Sequence, residues 1–510
     1  MLLFTSCLAF SALAGTYATQ LGPSGTLEIT NQAISPDGYS RTAVLANGQF
    51  PGPLITAKKG DRFRLNVVDK LTEEDMLTDT SIHWHGLFQK RTAWADGVSW
   101  VTQCPITTGH SFMYDFEAPD QAGTFWYHSH LSTQYCDGLS HTNPGTVYDP
   151  KDPARHMYAG TVLTLSDWYH YNSFHAPKAG TPFPNSTLIN GLGRYPNGPL
   201  SELAVVNVSH GKRYRFRLVS LSSSMDTLDI IEVDSVAHQP LLVDSLEIYP
   251  GQHYSFVLTA NQAVSNYWIR ARPISPGPIQ GMYQGFVNGT NSAILQYIRY
   301  SGAPKHEPKP VTLPASKYPL VETSLHPLVP SKVPGKHAPG AADVNLHLDI
   351  SFNTYASPQI PVLLQLLSHT HTAQELLPKG SVYELPRDKV IEVTIPGGSI
   401  GGPHPFHLQG HNFHVVRSAG NATYNWDNPT QLEQVIRDVV NTGDSTDDLT
   451  TFRFKTDNAG PWILHCHIDW HLSIGLAVVL AEQVPEVKAQ VHPSLVWWDL
   501  CPLNKHTAQN

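Results

Sequence analysis

At 510 residues the chain is longer than one hydrophobic core sustains, and at ~100–200 residues per domain it predicts three domains. With 41% hydrophobic and 15% charged residues it has the composition of a globular protein, which excludes a disordered chain. A formal net charge of -9 with no basic run offers no footprint for nucleic acid or for an anionic membrane surface, so neither is an expected partner.

From the start of the chain, Met1 to Ala14 is almost wholly apolar and runs into small residues, with Thr16-Tyr17-Ala18 suited to signal peptidase. Residues 1–18 are therefore expected to be a signal peptide and the mature protein to be secreted and extracellular. Polar Thr5, Ser6, Ser11, Thr16 and Thr19 make a membrane anchor the poorer reading, because a span needs ~20 continuous apolar residues. Four Asn-x-Ser/Thr sequons, at Asn185, Asn207, Asn288 and Asn421, accord with secretion and glycosylation without deciding either.

Short runs of β-branched and aromatic residues recur between Gly, Pro, Asn and Asp clusters, while helical periodicity is scarce. Arg62 to Val68, Arg213 to Val219 and Val390 to Ile395 alternate in this way and predict matching strands of three β-sandwiches, an all-β fold. Tyr148-Asp149-Pro150-Lys151-Asp152-Pro153 suggests a first boundary, and prolines are dense from Ser301 to Gly340. The expected domains are 19–150, 151–300 and 341–510, with 301–340 a Pro-rich linker.

Four histidine clusters carry the functional argument: His83-Trp84-His85-Gly86, His128-Ser129-His130, His404-Pro405-Phe406-His407, and His465-Cys466-His467 with His471. The chain has 27 histidines, so His-x-His pairs alone exceed chance only modestly, and their surroundings carry the weight. A further pair, His369-Thr370-His371, lies in a polar stretch and reads as a surface loop. In a strand the two histidines of His-x-His share a face about 6.5–7 Å apart, so one strand can serve two neighbouring metal ions. The same alternation in His465-Cys466-His467 turns both imidazoles one way and the thiolate the other, joining two metal sites through one short segment. A cysteine with two histidines in trigonal array selects copper and makes an electron-transfer centre; Cys466, His471 and His404 provide that set. Zinc is the rival, but its structural sites draw on paired cysteines and its catalytic sites on three ligands. Nine clustered histidines with one cysteine exceed both needs.

Together with Asn47-Gly48-Gln49-Phe50-Pro51-Gly52-Pro53, Thr124-Phe125-Trp126-Tyr127-His128-Ser129-His130 and Gly460-Pro461-Trp462-Ile463-Leu464-His465-Cys466-His467, these segments resemble the laccases of the multicopper oxidase family over nearly the whole mature chain. The resemblance implies three cupredoxin-like Greek-key sandwiches and up to four copper ions: one type 1, one type 2 and two type 3. It assigns His404, Cys466 and His471 to type 1, His83 and His407 to type 2, His85, His128 and His467 to one type 3 ion, and His130 with His465 to the other. His471 would receive electrons from substrate, and Asp96 would deliver protons to reduced oxygen. Leu476 falls where some relatives place an axial Met, which should raise the type 1 potential. The implied reaction is one-electron oxidation of phenols or aryl amines coupled to reduction of dioxygen to water, by a monomer. Cys104 and Cys501 are expected to form a disulfide tying domain one to the C-terminal tail.

The chain departs from the family pattern at two main places, with lesser irregularities around His141 to Thr146 and Ser351 to Ile360. Gln409 takes the position of a type 3 histidine, and His411 is not an obvious substitute because relatives also carry a non-ligating His there. After Val219 the segment is short: relatives place a Cys and an Asp about where Ser223 and Ser224 stand, which orphans Cys136 and removes a substrate-orienting carboxylate unless Asp226 replaces it. The alternative to a working oxidase is then a copper-binding electron-transfer protein with a degenerate, oxygen-inefficient cluster.

Overall fold

The computed structural model describes residues 20–139, 145–148, 159–176, 182–219, 223–273, 285–298, 306–309, 315–350, 360–368, 381–399, 402–421 and 434–507. The expected leader and the His369-Thr370-His371 pair lie outside these residues, as does the side chain of Asp226.

Six sheets make three sandwiches, of five and four strands, seven and three, and five and five. The first contains β1 (Ser24–Ile34), β2 (Arg62–Asp69), β3 (Ile82–His85), β4 (Ser111–Glu117) and β5 (Gly123–Ser129). The second contains β6 (Ala159–Trp168), β7 (Arg213–Val219) and β8 (His253–Thr259), and the third β9 (Val344–His347), β10 (Val390–Pro396), β11 (Pro405–Leu408), β12 (Leu449–Lys455), β13 (Gly460–Cys466) and β14 (Ala477–Glu482). The three alternating runs read from the sequence are β2, β7 and β10, and their surroundings match. Each has a parallel partner on one side, β1, β6 or β9, and an antiparallel one on the other, β4, β8 or β12. The same sandwich wiring is thus repeated three times, as the all-β reading requires.

Period-2 alternation does the folding work. In β2, Phe63, Leu65 and Val67 are at most 4% exposed while Arg62 and Arg64 face solvent and flank Asp115 of β4. Burying each of those apolar side chains contributes about 1.5–3 kcal/mol. β3 and β5 are buried on both faces, His83 to His85 and Thr124 to Ser129 alike, because a second sandwich covers them.

The C-terminal helix α2 (Leu495–Thr507), which follows a short α1 (Asp469–Ser473), returns to the first sandwich. Trp497 Nε1 donates to the Thr102 carbonyl at 3.1 Å, Asn504 Nδ2 to Asp79 at 2.7 Å, and Cys104 is bonded to Cys501 with Cα atoms 5.1 Å apart. The expected disulfide is therefore present. Cys136 is free and buried, its thiol donating to the Asp469 carboxylate at 3.6 Å.

Candidate metal centre

Strand pairing builds the site from two halves. β3 lies antiparallel to β5 with His83 opposite His128, and β11 lies antiparallel to β13 with His407 opposite His465. The first and third sandwiches turn these strands toward each other. His130 Nε2 meets His465 Nε2 at 3.4 Å, His85 Nδ1 meets His467 Nε2 at 3.2 Å, and the His85 and His407 rings stack at 3.8 Å.

On the other side of β13, Cys466 Sγ lies 3.6 Å from both His404 Nδ1 and His471 Nδ1, which are themselves 3.1 Å apart. The centre of that triangle is about 2 Å from each corner, the length of a transition-metal bond to imidazole or thiolate. His404 precedes β11, and His471 is brought round by α1, where its backbone N–H bonds to the Ile468 carbonyl at 2.9 Å. Leu476 is buried and clips the segment: its carbonyl accepts from Cys466 N–H and its N–H donates to the His471 carbonyl, both at 3.0 Å. Burial holds the Cys466 thiol far above its usual range and pushes His471 down to about 4. An anionic sulfur is too costly here without a cation beside it, so the pocket favours a thiolate only when a metal is bound.

The histidine cluster has its tautomers set by backbone carbonyls. His83 Nδ1 donates to the Asp96 carbonyl (2.8 Å), His128 Nδ1 to Ser129 (2.7 Å), His407 Nδ1 to Asp438 (2.9 Å) and His465 Nδ1 to Cys466 (3.0 Å). Each bond directs the lone pair of Nε2 inward; the Nε2 atoms of His83, His128 and His407 are buried without a hydrogen-bond partner. Burial, reinforced by the neighbouring imidazoles, holds His85, His128, His130, His407 and His467 well below the usual histidine value. Neutral imidazoles converging with unpartnered nitrogens are the form that binds metal. The residues present fit metal ions.

Gln409, the departure from pattern, sits within this cluster. It is 1% exposed, with Nε2 3.2 Å from His130 Nε2 and Oε1 unpartnered. His411 faces away, its Nε2 bonded to Glu482 at 2.7 Å. Asp96 is fully buried, its Oδ1 3.4 Å from His83 Nδ1 and both carboxylate oxygens without hydrogen bonds. Gly97 allows this: at φ +89° it lies against β3, where a Cβ would fall 1.7 Å from the Ile82 carbonyl oxygen.

Two residues at the cluster carry no motif and were not anticipated. Asp438 is buried with Oδ1 3.5 Å from His85 Nε2 and 3.8 Å from His407 Nδ1, and burial beside Asp234 holds its carboxyl well above the usual range. His253, from the second sandwich, lies with its ring 5.9 Å from His85. The second sandwich secures this wall: Asp234 Oδ2 accepts from Arg437 Nε at 3.0 Å, and Gly251 at φ +89° leaves room for the His467 ring.

Three multicopper oxidase sequence profiles match the chain, over residues 28–148, 159–300 and 355–486. The chain belongs to the multicopper oxidase family. Among its relatives this oxidase is 53% identical to Laccase-2 of Trametes villosa, over 96% of both chains, and 53% identical to a laccase of Pycnoporus cinnabarinus, over 98% of both. The solved laccase of Botrytis aclada is 28% identical, with a TM-score of 0.75 over 96% of this chain and 93% of that one. Fet3p, a multicopper oxidase of iron import, shares the fold at a TM-score of 0.77 and 24% identity, over 94% and 95%. The family and its laccases make this a copper-dependent, laccase-like oxidoreductase.

Proposed function

We propose that the protein couples one-electron oxidation of phenols or aryl amines to reduction of dioxygen to water, outside the cell, as a monomer. The supporting observation is the two-sided strand β13, whose Cys466 faces one metal-binding triangle while His465 and, just past its end, His467 face the cluster. His404, Cys466 and His471 would hold the type 1 copper, His83 and His407 the type 2 ion, His85, His128 and His467 one type 3 ion, and His130 with His465 the other. Bound copper would supply reversible single-electron chemistry, which the side chains alone do not provide. His471, on α1, would conduct the electron from substrate to the type 1 ion, and Cys466 would relay it through its two flanking peptide linkages to His465 and His467. Asp96 carries a proton toward the cluster from a carboxylate beside His83, and Asp438 offers a second buried carboxyl on the opposite wall. Trp126, stacked on His85 at 4.7 Å and on His128 at 4.4 Å, keeps the cluster dry. Among the described residues no helix is long and apolar enough to cross a membrane.

Secreted, copper-loaded protein should be blue and should consume oxygen with a phenolic substrate. Cys466→Ser should abolish both together; oxygen consumption that survives the substitution overturns this assignment.

A further inference from the structure

Away from the metal centre, a cleft of about 220 Å³ opens between the first and third sandwiches, lined by Phe88, Lys90, Lys332, His411, Phe454 and Lys455 among others. Its three lysines come from three separate parts of the chain, whereas Asp457 is the one acidic residue among the described residues of the lining, and this in a protein of net charge -9. The existing ion pairs are loose. Lys90 Nζ stands 3.5 Å from Asp457, and Lys455 Nζ stands 3.3 Å from Asp388, with every partner about half exposed. Such exposed pairs hold little energy and give way to a better anion. The floor, by contrast, is rigid. Asn458 Nδ2 donates to the Phe88 and Gly410 carbonyls at 2.6 and 3.1 Å, and its backbone N–H to Glu482 at 2.6 Å. Glu482 in turn fixes His411 Nε2, so the imidazole edge carrying Nδ1 is left for the cleft.

We propose that this cleft binds a small multivalent oxyanion, of the dicarboxylate or inorganic phosphate class. Its volume is below the ~300–1,000 Å³ of pockets for drug-sized ligands, so the occupant is small. Three lysines of the lining against two carboxylates, Asp457 and the Asp388 that pairs with Lys455, leave the cleft net positive, and an anion with two charges can engage two ammonium groups where a monoanion engages one; Phe88 and Phe454 line the same cleft. The occupant would sit on the outer side of the turn at Gly410 that carries Gln409 to His130.

Titration calorimetry on the copper-loaded protein at low ionic strength tests this, with malonate, inorganic phosphate and acetate as separate probes. Malonate or phosphate should bind saturably, and the tighter of the two identifies the source; acetate should bind at least about 10-fold more weakly. Lys332→Ala/Lys455→Ala should weaken the dianion about 10-fold or more, and Lys332→Arg/Lys455→Arg should retain it, while 1 M salt should suppress binding by screening. Equal affinity in the alanine variant, equal binding of acetate, or no saturable binding by about 10 mM dianion would each overturn the site, since loose pairing at exposed lysines already explains interactions that weak. Unchanged colour and melting temperature in both variants show that the fold and the copper sites are intact.

Discussion

Replacing Gln409 by histidine adds to the cluster one more imidazole, at the position where an amide stands beside His130. The geometry is already in place: the amide is 1% exposed and 3.2 Å from His130 Nε2, and its backbone N–H is held by the Ile463 carbonyl at 3.2 Å. Amide nitrogen and oxygen can exchange places by rotation, so the wild-type side chain can turn an oxygen toward the ion that His130 and His465 would share. That oxygen is a harder and weaker donor to copper than imidazole. Loss of even an outer partner of a ligand costs ~10–100-fold in metal affinity, and a weakened ligand should cost at least as much. Gln409→His should therefore tighten copper at this position at least about 10-fold, or about 1.4 kcal/mol. Gln and His are close in volume, so little repacking opposes the gain. The assay is copper per chain after dialysis against graded chelator, read beside oxygen consumption. Wild type should fall below full loading while retaining its blue colour, with substrate reducing the type 1 centre at a near-normal rate and dioxygen reoxidising it slowly. The variant should gain both copper and oxygen uptake. If it changes neither, Gln409 is not what limits this oxidase.

Glu232 joins two sandwiches: burial would raise its carboxyl, but Arg215 at 2.6 Å and Arg217 outweigh that and push it down to about 2, with Thr124 N–H and Ser255 adding hydrogen bonds. Because the folded value lies below the unfolded one, its contribution is present above about pH 4.5 and lost as pH falls toward 2, on the order of 3 kcal/mol. Glu232→Gln should flatten the pH dependence of the melting temperature in that window; an unaltered slope refutes the assignment. Gly251→Ala should lower copper content, since its Cβ would fall 2.8 Å from the His467 ring, whereas Gly211→Ala, at a similar φ in open space, should leave copper content alone. Cys501→Ser should cost about 3–5 kcal/mol by freeing so long a loop, read as a lower melting temperature; an equal melting point in reduced and oxidised protein refutes this.

What the sequence made legible was whatever repeats at short range. The alternation of β2, β7 and β10 announces strands because each side chain's face follows from its neighbour's. His83 with His85, and His465 with His467 around Cys466, could be read for the same reason, as period two converts spacing into facing. The misfit of Gln409 was visible because it interrupts such a pattern, and the structure puts its amide 3.2 Å from His130 Nε2. Asp438 and His253 were not legible. Neither has a partner nearby in sequence, and both acquire meaning only when the second sandwich, through Asp234 and Gly251, closes on the other two. A lone Asp after Arg437 looks like any surface ion pair until its tertiary surroundings remove the water.

The inward-facing histidines come from two stretches separated by some 270 residues, His83 to His130 and His404 to His467. A ribosome therefore releases the first half of the copper cluster long before the second exists. His83, His85 and His128 can meet within the first sandwich, but His407, His465 and His467 join them only when the third sandwich has been made and has docked. Full copper loading of the cluster is thus a report on completed synthesis. A truncated product, however well its first sandwich folds, has no means of becoming an oxidase.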